Sequence, residues 1–513
     1  MKIASLEKTL SKVMFLLVVF FSFGLTKKNK QTVNIAWDNF PRSFDPRYAN
    51  DANSQYLENL VHCPLIDFSH SGETKNNLAK SLRWLSPKVL EVKVHDYFRF
   101  SDGSKVGLAD VLATYEFFMK KNMIRPSPRS LAFQNVKSIN LVDDKIIFEL
   151  HNIDAAFQTN LVVGILPEAI ARGGEIQDPL KIKSCGPFVL KSITLNNISL
   201  TRNPYYQSFE PLKLSHSDVK IKVVKDETTR FAKLQKGEVD IVQNGVSLEK
   251  VSSLASNSNL KLLRGEGLKT TYVGFNLEDK ILRDKKVRKA IGLAINKEAI
   301  NKYILKGLAL PATTMVTPSS PYYNKNQDYI KFDRKVANKM LDESGYKIKS
   351  GEKYRFQLSY KTTKNDTRYA IAKAIQGDLY KVGIKLDIQT LEWGRFKSDV
   401  EKGLVQLWGL SWVGFKDPDI YRYVFSSKSF PPLGGNRGRY KNLELDRLLE
   451  KGKETVDLSE RKLIYAKVQE IIEDDMPYIF LFHEDNYALV RKDIKNFTLY
   501  ADGRYASLAY TYK

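Results

Sequence analysis

Period-two alternation and helical spacing follow one another along most of the chain. Leu90, Val92 and Val94 alternate with Glu91, Lys93 and His95, the mark of a half-buried strand. Val219, Ile221 and Val223 repeat that pattern around Lys220 and Lys222. Val287, Ala290, Ile291, Ala294 and Ile295 fall on one face of a helix, as do Ala370, Ile371, Ala374, Ile375 and Leu379. Turn residues punctuate the series at Ser101-Asp102-Gly103, Lys236-Gly237, Pro431-Pro432 and Gly434-Gly435. Interleaved strands and helices with no short-period repeat predict α/β or α+β architecture.

The N-terminus breaks the pattern. Lys2, Lys8 and Lys12 precede an apolar run from Val13 to Leu25. Thirteen residues is short of the roughly 20 that a helix needs to span a bilayer, and it fits the core of an export signal. Phe21-Ser22-Phe23-Gly24 is a poor cleavage site, so residues 1–25 are expected to act as a cleaved signal or as a retained anchor. No cysteine follows the run to carry a lipid. In either case the body of the protein lies outside the cytoplasm.

The chain has 513 residues, 43% of them hydrophobic, which at about 150 residues per domain suggests three domains. Its formal charge is +23, which raises nucleic acid as a partner. Lys and Arg are nevertheless spread along the chain with Asp and Glu between them. The densest run, Lys27-Lys28-Asn29-Lys30, belongs to the apolar N-terminus. A basic solvated surface is therefore expected, and no nucleic acid. Two cysteines, Cys63 and Cys185, exclude a four-cysteine zinc site, and in an exported protein they are a possible disulfide.

Catalytic signatures are missing. No two of His62, His70, His95, His151, His216 and His483 have metal-ligand spacing, so no metal is expected. The chain has no G-x-S-x-G elbow, Walker A loop or dinucleotide fingerprint, so neither an enzyme nor a cofactor is expected. A carboxylate-pair hydrolase stays open, because its two acids need not be close in sequence, but nothing favours it. Asp474-Asp475 just before Met476-Pro477 reads as a helix-ending turn. What stands out is Trp408-Gly409-Leu410-Ser411-Trp412-Val413-Gly414-Phe415-Lys416-Asp417-Pro418, where aromatic faces and turn backbone suit an organic ligand as well as a strand end.

In order, Ser43-Phe44-Asp45-Pro46, Leu78-Ala79-Lys80-Ser81, Phe100-Ser101-Asp102-Gly103, Cys185-Gly186-Pro187-Phe188, Gly237-Glu238-Val239-Asp240, Val287-Arg288-Lys289-Ala290-Ile291 and Asp446-Arg447-Leu448-Leu449 resemble the motifs of one family. It is the family 5 extracellular solute-binding proteins of ABC importers, the peptide, dipeptide and nickel class. The resemblance runs from about Val33 to the C-terminus.

It implies an α/β, two-lobed type II binding-protein fold with an inserted third domain. The expected division is 31–65, 178–267 and 482–513 for the first lobe, 66–177 for the insert and 268–481 for the second lobe. It also implies a monomeric periplasmic protein that passes a small-molecule or peptide ligand to ABC permease subunits. A sensory or scavenging receptor of the same fold, or a binder of an organic metal chelate, is the alternative.

For the ligand site the resemblance points to Tyr272, Ser411, Trp412, Val413, Phe415, Asp417, Asn436 and Arg437, with Asn39 a weaker candidate. In peptide-binding relatives the segment matching Ser411–Val413 holds extended backbone. An aspartate three residues after the matching tryptophan pairs with the peptide's ammonium. Here that position is Phe415, and the run to Asp417-Pro418 is one residue shorter, as in the nickel-type branch. Either Asp417 replaces the missing acid, or the ligand brings no free ammonium there. In the second case Phe415 and Arg437 would suit a blocked or cyclic peptide or an anionic organic ligand.

Overall fold

The computed structural model describes residues 31–120, 127–207, 214–215, 217–252 and 259–513. The expected export segment, the lysines after it and His216 lie outside the described residues. No helix among the described residues is long and apolar enough to cross a membrane.

Three larger sheets organise the chain. A seven-stranded sheet runs Leu260–Gly265, Asn486–Arg491, Ile241–Gln243, Thr32–Trp37, Asp218–Val223, Asn197–Arg202, Phe188–Thr194 from edge to edge. Its centre is parallel: Val33, Ile35 and Trp37 pair with Val219, Ile221 and Val223. All six are buried, and the lysines between Val219, Ile221 and Val223 are half-buried. The alternation of apolar and charged positions thus reappears as an inner and an outer face.

A six-stranded sheet runs Ala309–Pro311, Tyr478–Glu484, Lys269–Phe275, Leu407–Val413, Phe356–Thr363, Ile384–Leu391. The helix Lys285–Ala294 packs on it through Val287, Ala290, Ile291 and Ala294, and Asp284 caps its first turn. The helix Asp366–Tyr380 buries Ile371, Ala372, Ile375 and Leu379 in the same core. The helix Leu458–Asp475 ends at the acidic pair, with Met476 left-handed at φ 46°. A four-stranded antiparallel sheet, Ala79–Ser86, Val89–Val94, Lys145–Leu150, Val136–Val142, has its own aromatic core of Tyr115, Phe118, Phe133, Phe148 and Phe157.

The chain passes between the two large sheets twice. The first passage lies between the strands Leu260–Gly265 and Lys269–Phe275, and the second is Asp485, between Tyr478–Glu484 and Asn486–Arg491. The strand of the second sheet thus continues to Glu484, three residues past the expected boundary at 481. The two passages touch: a Cβ on Gly267 would stand 2.4 Å from the Glu484 carbonyl oxygen. Lys269 Nζ meets Glu484 at 2.6 Å, and Arg264 pairs with Asp485.

Cys63 and Cys185 are disulfide-bonded, their Cα atoms 5.3 Å apart across 122 residues of sequence. The bond ties the end of the helix Ala52–Val61 to the turn leading into Phe188–Thr194. There Gly186 lies so close to Val61 that a Cβ would stand 2.6 Å from its carbonyl carbon.

Candidate functional site

A cavity of about 700 Å³ opens where the three sheets meet. One wall comes from the helix Ala52–Val61 (Tyr56, Asn59), the strand Ile66–Phe68 (Asp67, Phe68) and the C-terminal turn (Asp502, Arg504). A second comes from the four-stranded domain, with Arg129, Leu131, Phe133 and Val162. The third is the loop and short helix after the strand Leu407–Val413, from Gly414 to Tyr423. Leu131, an exposed apolar side chain, lines the cavity together with Val162.

The charged groups of this cavity are paired. Arg129 clamps Glu58 at 3.0 and 2.7 Å, and Glu58 also accepts from the Gly164 amide at 2.9 Å. Burial raises the Glu58 pKa, with Arg129 opposing. Arg422 holds Asp419 at 2.7 Å, and Arg461 holds Asp417 at 2.7 and 2.8 Å. Arg504 joins Asp67 to Asp502, and Lys416 reaches across from the opposite wall to Asp502 at 2.7 Å. Burial pushes Asp502 up, but Arg504 and Lys416 outweigh it and hold the acid well below the usual carboxylate range. Outside the cavity lining, the Ala155 amide donates to the Lys453 carbonyl at 2.9 Å.

The expected ligand residues divide into three groups. Phe415 and Asp417 line the cavity. Ser411, Trp412 and Val413 lie just before it, at the end of their strand. Ser411 and Val413 pair with Thr271 and Lys269 on one side. On the other side, Phe356–Thr363 pairs with this strand at Leu407 and Trp408, and among the described residues the edge from Gly409 to Val413 meets no strand there. That edge has the geometry needed to add an extended backbone.

Tyr272 and Asn436 stand apart from the cavity lining. Tyr272 is fully buried in the second large domain and faces no cleft. Its ring stacks on Tyr478, with centroids 4.2 Å apart, and lies parallel to Trp412 at 6.2 Å. Asn436 is 1% exposed, and its amide donates to the carbonyls of Ser426 and Tyr440 at 2.9 Å each while accepting from the Tyr440 amide. It shapes a loop. Arg437 follows from that loop: its guanidinium covers the Trp412 ring at 4.8 Å and donates to the Tyr272 hydroxyl at 3.4 Å, outside the cavity lining. Asn39 is exposed, and its carbonyl accepts from Asn53 at 2.8 Å.

Sequence reasoning missed the wall opposite Phe415. Asp67, Phe68, Asp502 and Arg504 carry no spacing signal, because they come from stretches more than 400 residues apart. Lys416 stood within the aromatic segment and was passed over between Phe415 and Asp417. Among the described residues, no group of three or more His, Cys, Asp or Glu side chains is placed to hold a metal ion.

Residues 73–431 match the family described as bacterial extracellular solute-binding proteins, family 5. The chain is similar to the oligopeptide-binding protein AppA of Bacillus subtilis, 28% identical over 486 residues, covering 89% of this chain and 87% of the relative. The structure of B. subtilis AppA in complex with a nonapeptide superposes with a TM-score of 0.72 at 25% identity, covering 94% of this chain and 98% of that one. Campylobacter jejuni NikZ in complex with Ni(L-His) superposes with a TM-score of 0.76 at 25% identity, covering 94% and 100%.

Proposed function

The chain belongs to the bacterial extracellular solute-binding proteins of family 5, and from that premise we propose that it captures a peptide or peptide-like solute between two hinged lobes and delivers it to an ABC importer. The seven-stranded sheet forms one lobe and the six-stranded sheet the other, with the four-stranded domain inserted in the first. The two passages at Gly267 and Asp485 are the hinge. Capture takes place outside the cytoplasm, in the periplasm of a cell with two membranes, and the N-terminal apolar segment directs the protein there. Binding is the whole activity of this monomer, and no bond of the solute is broken.

The observation that carries this reading is the cavity of about 700 Å³, walled by helices and loops that flank all three larger sheets. That size lies within the roughly 300–1,000 Å³ of ligand pockets. Its walls belong to bodies joined by two chain passages, so a hinge motion opens it. A solute drives closure only through contacts made in the closed state alone. A micromolar affinity, about 8 kcal/mol, is ample for shifting such an equilibrium. The free strand edge at Gly409–Val413 offers backbone groups to an extended peptide, and Leu131, Val162, Phe415 and Tyr423 offer apolar walls to its side chains. The likeness to AppA, which holds a nonapeptide, supports the same choice.

The likeness to NikZ with Ni(L-His) supports a second reading, in which the solute is a metal chelate. With no metal-holding side-chain group among the described residues, the metal would arrive with organic ligands of its own. Native mass spectrometry of gently purified protein tests both. A co-purifying peptide mass whose addition contracts the radius of gyration in X-ray scattering is expected. A nickel-bearing mass selects the second reading, and a tightly bound solute that produces no contraction defeats hinge capture.

A further inference from the structure

Lys416 stands on the wall of one lobe with its ammonium seated on the other. Nζ is 2.7 Å from Asp502 and 3.2 Å from the centre of the Phe68 ring, so an acid and an aromatic face both receive it. Only 16% of its side chain is exposed. Burial, with Arg504 beside it, lowers its pKa to about 8, which leaves it charged at neutral pH. Asp502 is taken from the other side by Arg504, 2.7 Å away through Nε, and Arg504 also holds Asp67.

The remaining cavity carboxylates are no freer: Glu58 is held by Arg129, Asp417 by Arg461 and Asp419 by Arg422. A positively charged solute group would therefore enter a cavity in which, among the described residues, every acid already has its cation. An enclosed ammonium without a counter-charge is strongly disfavoured. Resting on the capture reading above, we propose that Lys416 is a specificity-determining residue: it supplies from within the chain the cation that Asp502 and Phe68 would otherwise take from a solute, so the solute end lying there is uncharged or anionic.

Replacement by alanine removes three methylenes and the nitrogen, the outline of propylammonium. In the Lys416→Ala protein, propylammonium chloride is expected to bind at least about tenfold tighter than in wild type, read as a saturable rise in melting temperature against sodium chloride of equal ionic strength. An equal response from the two proteins overturns the proposal. The second measurement uses Lys416→Met, which keeps the volume and removes the charge, with a mixed tripeptide library offered both free and N-acetylated. Wild type should retain the acetylated forms over the free ones by about tenfold, and Lys416→Met should lose or reverse that preference. Wild type preferring free peptides, with the ratio unmoved in Lys416→Met, overturns the proposal. Binding of no peptide by either protein sinks the peptide reading of function, while the propylammonium comparison still decides the role of Lys416.

Discussion

Arg461 grips Asp417 through both terminal nitrogens, Nη1 to Oδ2 at 2.8 Å and Nη2 to Oδ1 at 2.7 Å. The arginine side chain is 4% exposed and also lies over the Tyr322 and Tyr465 rings. Asp417 additionally accepts from the Asp419 amide at 2.8 Å, which fixes the turn around Pro418. The acid that the sequence offered as a partner for a solute ammonium is thus committed to a bidentate pair inside its own lobe.

Breaking that pair should cost stability. Arg461→Met leaves Asp417 without its cation and is expected to lower unfolding stability by about 3–5 kcal/mol. Denaturant melts check it. Asp417→Asn should weaken the fold without changing discrimination between free and acetylated peptides, and a loss of that discrimination would show Asp417 to be a ligand residue after all.

The disulfide is the next target. Joining Cys63 to Cys185 closes a loop of 122 residues, for which chain-entropy reasoning gives about 5 kcal/mol. Cys63→Ser, or reduction, should depress the melting temperature by a margin visible in calorimetry. Peptide mapping without reductant should recover the two cysteines as one cross-linked fragment.

Acid should destabilise the protein through two buried histidines. Burial lowers His62 to about 4 against the pull of Asp45, and lowers His483 to about 3 with Lys297 assisting. Unfolded, both take up protons near 6.5, whereas folded they stay neutral until far lower pH. Their contribution is therefore complete above pH 6.5 and is lost steadily as the pH falls toward 4, at about 1.4 kcal/mol per pH unit for each. Melting temperatures measured from pH 7 to pH 4 should fall, and His62→Gln or His483→Gln should flatten the slope. An unchanged slope in both variants would refute the assignment.

At the hinge, Gly267→Ala forces a methyl group against the Glu484 carbonyl, with backbone on both sides. The two passages must move apart, so the lobes should rest at a different separation. X-ray scattering of the ligand-free variant is expected to differ from wild type while its circular dichroism does not.

The elements and their inner faces are legible in the amino-acid pattern alone. Alternation at Val219, Ile221 and Val223 and helical spacing at Val287–Ala294 survive as buried faces, because side chains two apart on a strand, or three and four apart on a helix, share one side of the element. Ordered motifs such as Cys185-Gly186-Pro187-Phe188 and Asp446-Arg447-Leu448-Leu449 were enough for the family. Which charges meet is settled by long-range packing. Nothing in the chain marks Asp502 as the seat of Lys416, 86 residues away, or Arg461 as the partner of Asp417. The same is true of Tyr272, whose ring turns into the core to stack on Tyr478. Periodicity reports which face of its own element a side chain occupies, whereas a cleft is built from ends of elements brought together by long-range packing. Those junctions join residues far apart in the chain, where local pattern carries no information.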